Sequence, residues 1–219
     1  MLAVALLAAS VPAQAADPLT ERTEKLKFEF KKGKSFLQPG YAMGEYSGIT
    51  RQSASTTSAL GLYGSAKSKA EISLNSPSLG AVTIKCKGGE SRTALGWITF
   101  DRDKLAYVCT FEGAGPEAAF TLVQSKGGLM ARLQTPQRAA ELRLGAVTLR
   151  AESKQVGAMP FGLTAGAVGY VIRNGDQDVA AVDLSGLGKI AYLPSKGAAE
   201  RDAAAVMAVI LILFMDNPV

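Results

Sequence analysis

Cys86 and Cys109 are the only cysteines in this 219-residue chain, so their number allows one intramolecular disulfide. A bridge closing that stretch would stabilise by ~3.5 kcal/mol through loss of unfolded-state entropy. A zinc site would want further Cys or His partners, and the chain has no His at all. A reactive thiol is the alternative, with no flanking imidazole to activate it.

The missing His also removes Ser-His-Asp and Cys-His catalysis, imidazole metal sites and the usual near-neutral general base. Ser65-Ala66-Lys67-Ser68-Lys69 resembles a Ser-Lys arrangement, but no Lys stands three places after Ser65. Asp101-Arg102-Asp103 and Asn174-Gly175-Asp176-Gln177-Asp178 collect oxygen ligands of the kind calcium takes. Neither has the spacing of a calcium-binding helix-loop-helix, and Asn-Gly-Asp is ordinary hairpin chemistry. The acidic residues are otherwise scattered, so no carboxylate pair for hydrolysis stands out. Gly162 to Gly169 is glycine-rich but follows Pro160, without the strand–helix setting of a phosphate loop. No catalytic residue, no metal ligand and no cofactor is therefore expected.

Two features could serve recognition. Lys25, Lys27, Lys31, Lys32 and Lys34 form the densest basic cluster, a patch for acidic polysaccharide or lipid headgroups or simply a solvated strand face. Trp97 and Tyr107 could line a pocket or pack in a core. A net charge of +5 is modest and gives no reason to expect nucleic acid.

The elements that would hold these residues are mostly strands. Lys25 to Lys31 alternates strictly, placing Leu26, Phe28 and Phe30 toward a core. Further strands are expected near 45–51, 69–75, 82–86, 95–100, 105–111, 118–124, 129–133, 168–173, 178–184 and 189–193. Gln52 to Ser58 reads as a Ser/Thr-rich loop, Lys87 to Glu90 as a strand end, and Asp101 to Lys104 as a hairpin turn. Leu142 and Leu144 are even, Val147 and Leu149 odd, and the slip falls at Gly145, which predicts a bulge or tight bend. Both cysteines lie in phase with the apolar faces of their strands, which places the disulfide inside the core.

The two ends of the chain differ from the rest. Leu2 to Val11 is a short apolar run, broken at Pro12 and followed by Ala13-Gln14-Ala15, a small-x-small cleavage pattern with no basic residue before it. Residues 1–16 are expected to be a cleaved signal peptide, leaving 17–219 as one β-rich domain in the periplasm or outside the cell. Ala203 to Met215 is apolar on every side, and a helix is expected over 197–216. Such a helix lies in lipid or inside protein. Thirteen helical residues span only ~20 Å, short of a ~30 Å hydrocarbon core, so length favours a buried helix over a membrane-associated tail.

Val168-Gly-Tyr-Val-Ile-Arg, Val179-Ala-Ala-Val-Asp-Leu and the segment from Asp202 to Asp216 together resemble the end of a tubby-like barrel. That group includes the LURP-one-related and phospholipid-scramblase proteins. The resemblance implies a mainly β fold: a closed or nearly closed antiparallel barrel of about twelve strands around a buried hydrophobic C-terminal helix. It is a likeness of architecture and carries over no activity and no site residue.

The leading functional expectation is an exported, non-enzymatic envelope protein acting as an interaction or structural module, toward another envelope protein or an anionic surface. The second is a binding protein for a small hydrophobic or acidic ligand in an open barrel. A His-free hydrolase is third.

Overall fold

The computed structural model describes Leu19 and residues 21–35, 38–55, 67–90, 104–125, 138–154, 156, 169–185 and 188–215. The expected signal peptide, the expected strands over 95–100 and 129–133, Ser65, Trp97, Asp101 to Asp103 and Gly162 lie outside these residues.

Strands β1 (Glu24–Ser35), β2 (Gln38–Met43), β3 (Tyr46–Ser55), β4 (Lys67–Ser76), β5 (Gly80–Glu90) and β6 (Lys104–Glu112) form half of a closed antiparallel barrel. Strands β7 (Ala119–Ser125), β8 (Arg138–Leu144), β9 (Val147–Lys154), β10 (Gly169–Asn174), β11 (Gln177–Asp183) and β12 (Lys189–Leu193) complete it. Each strand pairs with its sequence neighbours, and β1 closes on β12. The helix α1 (Arg201–Met215) follows. Residues 197–200, expected within the helix, form turns, because the backbone enters helical bonding only with Ala204 N–H donating to Glu200 O.

Period-two alternation sets the barrel's two faces. Phe28, Tyr41, Ile72, Ile84, Leu122, Leu142, Leu149, Ile172 and Ala191 point inward and are buried. Twelve strands ~4.8 Å apart, tilted by about 40°, close at a radius of roughly 12 Å, about one layer spacing from an axial helix. The lumen is thus the right width for α1. Ala203 through Leu213 are each at most 2 % exposed and share one core cluster with inward residues from around the barrel. Inside this closed sheet every side of the helix is buried. No helix among the described residues is long and apolar enough to cross a membrane.

The chain passes through the turns at the barrel's near end over 44–45, 77–79, 113–118, 145–146 and 175–176, and α1 begins at the same end. The phase slip at Gly145 is a tight bend: Gly145 (φ 58°) opens the turn between β8 and β9, and Gly175 (φ 58°) does the same between β10 and β11. Gly48 serves another purpose. A Cβ there would collide with the Ser73 carbonyl, which accepts a 2.9 Å hydrogen bond from the Tyr41 hydroxyl.

Several sequence expectations need correction. Gln52 to Ser55 is strand, paired with Ala70 to Lys67, because backbone pairing continues where side-chain alternation does not announce it. Lys87 to Glu90 is the paired last stretch of β5 and not a break after Cys86, since the ladder to β6 runs on to Glu90–Leu105. The two cysteine-bearing strands, β5 and β6, are directly paired neighbours in the barrel. Phe30 shares the inward phase of Phe28 but is 51 % exposed. It precedes the register shift between Lys31 and Ser35, and its ring makes a T-shaped contact with the Phe28 ring, 5.3 Å between centroids.

Candidate functional site

Cys86 and Cys109 are opposed in the β5–β6 ladder, both inward and buried, with an S–S distance of 2.05 Å. The expected bridge forms, and it lies in the core. It joins directly paired strands, so its sulfurs are structural and hidden from thiol exchange at the surface.

The most developed polar constellation sits where α1 enters the barrel. Arg201, at 4 % exposure, donates through Nη2 to Glu24 Oε2 and Glu45 Oε1, each at 2.7 Å. Its Nε donates to Glu45 at 2.9 Å, and Nη1 donates to the Pro194 carbonyl. A guanidinium fork of fixed geometry can bind two carboxylates and a carbonyl at once. Next to it, Asp202 accepts hydrogen bonds from Tyr46 (2.8 Å), Ser76 (3.0 Å) and Ser78. The Asp202 carboxylate also suits the positive end of the helix dipole.

This constellation is saturated. Burial would raise the Glu45 carboxyl, but its own backbone hydrogen bond and the Arg201 guanidinium outweigh burial and hold it below the usual range. Burial, then the Asp202 contact, pushes the Tyr46 phenol well above its ordinary value. Neither group is poised to exchange protons near neutrality. The arrangement holds the helix at the barrel mouth and offers no free acid, base or nucleophile. In the sequence, Glu200-Arg201-Asp202 carries the signal of a helix start and names no partner for Arg201. An arginine in the first turn, against the dipole, was the available signal that a partner awaited it.

Two inward-facing cations occupy strand ends at the opposite mouth. Lys189 on β12 is opposed to Phe28, and its ammonium lies 6.0 Å from the Phe30 ring centroid. Burial lowers its pKa. Arg138 on β8 donates its backbone N–H to Ser153 Oγ (2.9 Å), and its side chain hydrogen-bonds the buried Tyr170 phenol on β10. The C-terminal end of α1 lies at this mouth, where cations suit the negative end of the helix dipole.

The remaining sequence candidates are distributed around the wall. Lys27 and Lys31 of the basic cluster both pair with Glu29, at 3.3 and 2.6 Å, while Lys25 and Lys32 are exposed. Lys34 contributes no described side chain. Lys67 and Ser68 lie on the extended strand β4, which separates them from any helical Ser-Lys geometry. Asp178, in the expected oxygen-rich turn, is bound by Arg173 at 2.6 Å, and Asp176 is exposed. Among the described residues no group of three or more His, Cys, Asp or Glu could hold a metal ion. The Tyr107 ring packs against Phe214 of α1, with centroids 4.6 Å apart.

No protein-family model, curated protein or solved structure matches the chain. What can be said of its function rests on its own residues.

Proposed function

We propose that this chain is an exported, non-enzymatic module of the cell envelope that acts through the outer wall of its barrel. The observation that carries the reading is the occupation of the lumen by α1, from Ala203 to Leu213. A small-molecule carrier keeps a concave, largely pre-formed cavity of several hundred cubic ångströms. Here the volume such a cavity would use is filled by the chain's own side chains, which favours the module over an open-barrel binding protein. The saturated Arg201–Asp202 constellation, whose carboxylates are all held by hydrogen-bond partners, weighs against the His-free hydrolase.

Export is supported by the disulfide, since such bonds persist in oxidising compartments, and by the apolar run and cleavage pattern over residues 2–15. A kinship with the tubby-like barrels, including the LURP-one-related and scramblase proteins, belongs to the same proposal. The closed twelve-strand barrel with a C-terminal helix supports it, and a likeness of architecture transfers no activity.

Native mass spectrometry of the chain recovered from the envelope fraction tests the proposal. The expected species begins at Ala16 or Asp17, lacks two hydrogens and carries no small molecule. A stoichiometric ligand released only when the barrel unfolds would replace the module with a binding protein. Recovery solely from the cytosol, with Met1 intact, would remove the export claim.

A further inference from the structure

On the outer wall formed by β3 to β6, Lys69 of β4 stands directly opposite Lys87 of β5. Both are exposed, and neither makes an ion pair among the described residues. Like charges placed opposite each other across strands destabilise a sheet. The neighbouring pairs on this wall avoid that cost. Arg51 faces Glu71, Glu71 faces Lys85, and Lys85 is bonded to Glu112 at 2.5 Å. Lys69 and Lys87 are the opposed pair left without an acid.

Exposed apolar side chains stand on the same wall as these cations. Val108 of β6 is opposite Lys87 and 41 % exposed. Ile49 of β3 points out from the same wall at 38 % exposure, two positions from Arg51. The third large hydrophobic exposed among the described residues, Phe30, is in the inward phase of its strand. Both outward ones therefore lie on the wall that carries the uncompensated lysines.

We propose that this wall docks the protein on a membrane surface rich in anionic lipid, with Lys69 and Lys87 on headgroup phosphates and Val108 and Ile49 at the interface. The inference rests on the module reading above and names its partner. Charge complementarity selects an anionic surface. The exposed apolar residues on the same wall select a bilayer over an acidic polysaccharide, which has no apolar layer to receive them. Lys27 and Lys31 on β1 share the single carboxylate of Glu29, and no exposed large hydrophobic in the outward phase lies beside them among the described residues.

Co-sedimentation of the oxidised full-length chain tests it, using phosphatidylcholine vesicles with and without phosphatidylglycerol. Binding is expected only with phosphatidylglycerol and is expected to weaken as salt rises. Each wall lysine should contribute about fivefold, so Lys69→Ser with Lys87→Ser should weaken binding by about 25-fold. Val108→Ser should weaken it further. Lys25→Ser with Lys32→Ser removes the same charge elsewhere and should leave binding nearly intact. Equal losses in the two double variants, or no binding to phosphatidylglycerol vesicles, would overturn the proposal. So would tighter binding to dextran sulfate that Val108→Ser does not change, which would make the partner a polysaccharide. Failure here with a ligand-free native mass spectrum leaves the module with a different partner. A bound small molecule in that spectrum sinks the module whatever the vesicles show.

Discussion

Arg201 at the start of α1 is bonded at 2.7 Å to Glu24, which opens β1, 177 positions earlier in the chain. The first strand and the last helix are thus tied at one mouth of the barrel, with Glu45 from the β2–β3 turn as the second anchor. The tie forms only once β1 has closed on β12 and the helix has entered. It therefore reports on completion of the fold.

Arg201→Met removes the fork and leaves Glu24 and Glu45 facing each other. Both carboxylates are partly exposed and can rehydrate, so the cost falls below that of a fully buried orphan charge, at about 2–3 kcal/mol. Thermal unfolding should shift down by about 5–10 °C. Arg201→Lys should recover only part of this, because an ammonium cannot reproduce the bidentate geometry. An unchanged melting temperature in the Met variant would show that the anchor is dispensable.

The same anchor sets an acid dependence. The folded-state pKa of Glu45 lies below its ordinary value of 4.5, so the folded protein binds its proton less readily than the unfolded chain. The stabilisation is fully present above that ordinary value and is lost as pH falls through the depressed one. Melting temperature measured from pH 7 down to pH 3 should decline below about pH 4.5. Arg201→Met should flatten that part of the decline, and a parallel slope in the variant would assign the acid lability elsewhere.

Reduction of Cys86–Cys109 should lower stability by ~3.5 kcal/mol, less any native strain, with the barrel still able to fold. Both sulfurs are buried, so reductant should act slowly on native protein and quickly in denaturant. Alkylation of native protein without reductant should label neither cysteine. Full labelling under those conditions would mean that the bridge is absent in solution.

Alanine substitution along α1 should find no tolerant face. Val209, Ile210, Leu211 and Ile212 are all fully buried, so each change to Ala should cost about 2–4 kcal/mol by lost transfer energy and cavity formation. A helix lying on the outside of the barrel would show near-neutral positions about every fourth residue. Denaturant melts of the four variants distinguish the two patterns.

Much of this architecture is legible in the sequence because local physics writes it there. Alternation marks β1, β4 and β5. Asn174-Gly175-Asp176 marks the β10–β11 hairpin, and the helix without a polar face demands complete enclosure. Cys86 and Cys109 show their inward phase before any fold is known. The tertiary structure decides what depends on which strands become neighbours. Pairing across the sheet places Gln52 to Ser55 in a strand despite their composition, and closure of β1 on β12 brings Glu24 to Arg201. The β4–β5 register sets Lys69 against Lys87. Those contacts join residues far apart along the chain, and their energies exist only after the loop-closure entropy of the barrel has been met. Side-chain pattern specifies a residue's face, and barrel closure and register specify its partner.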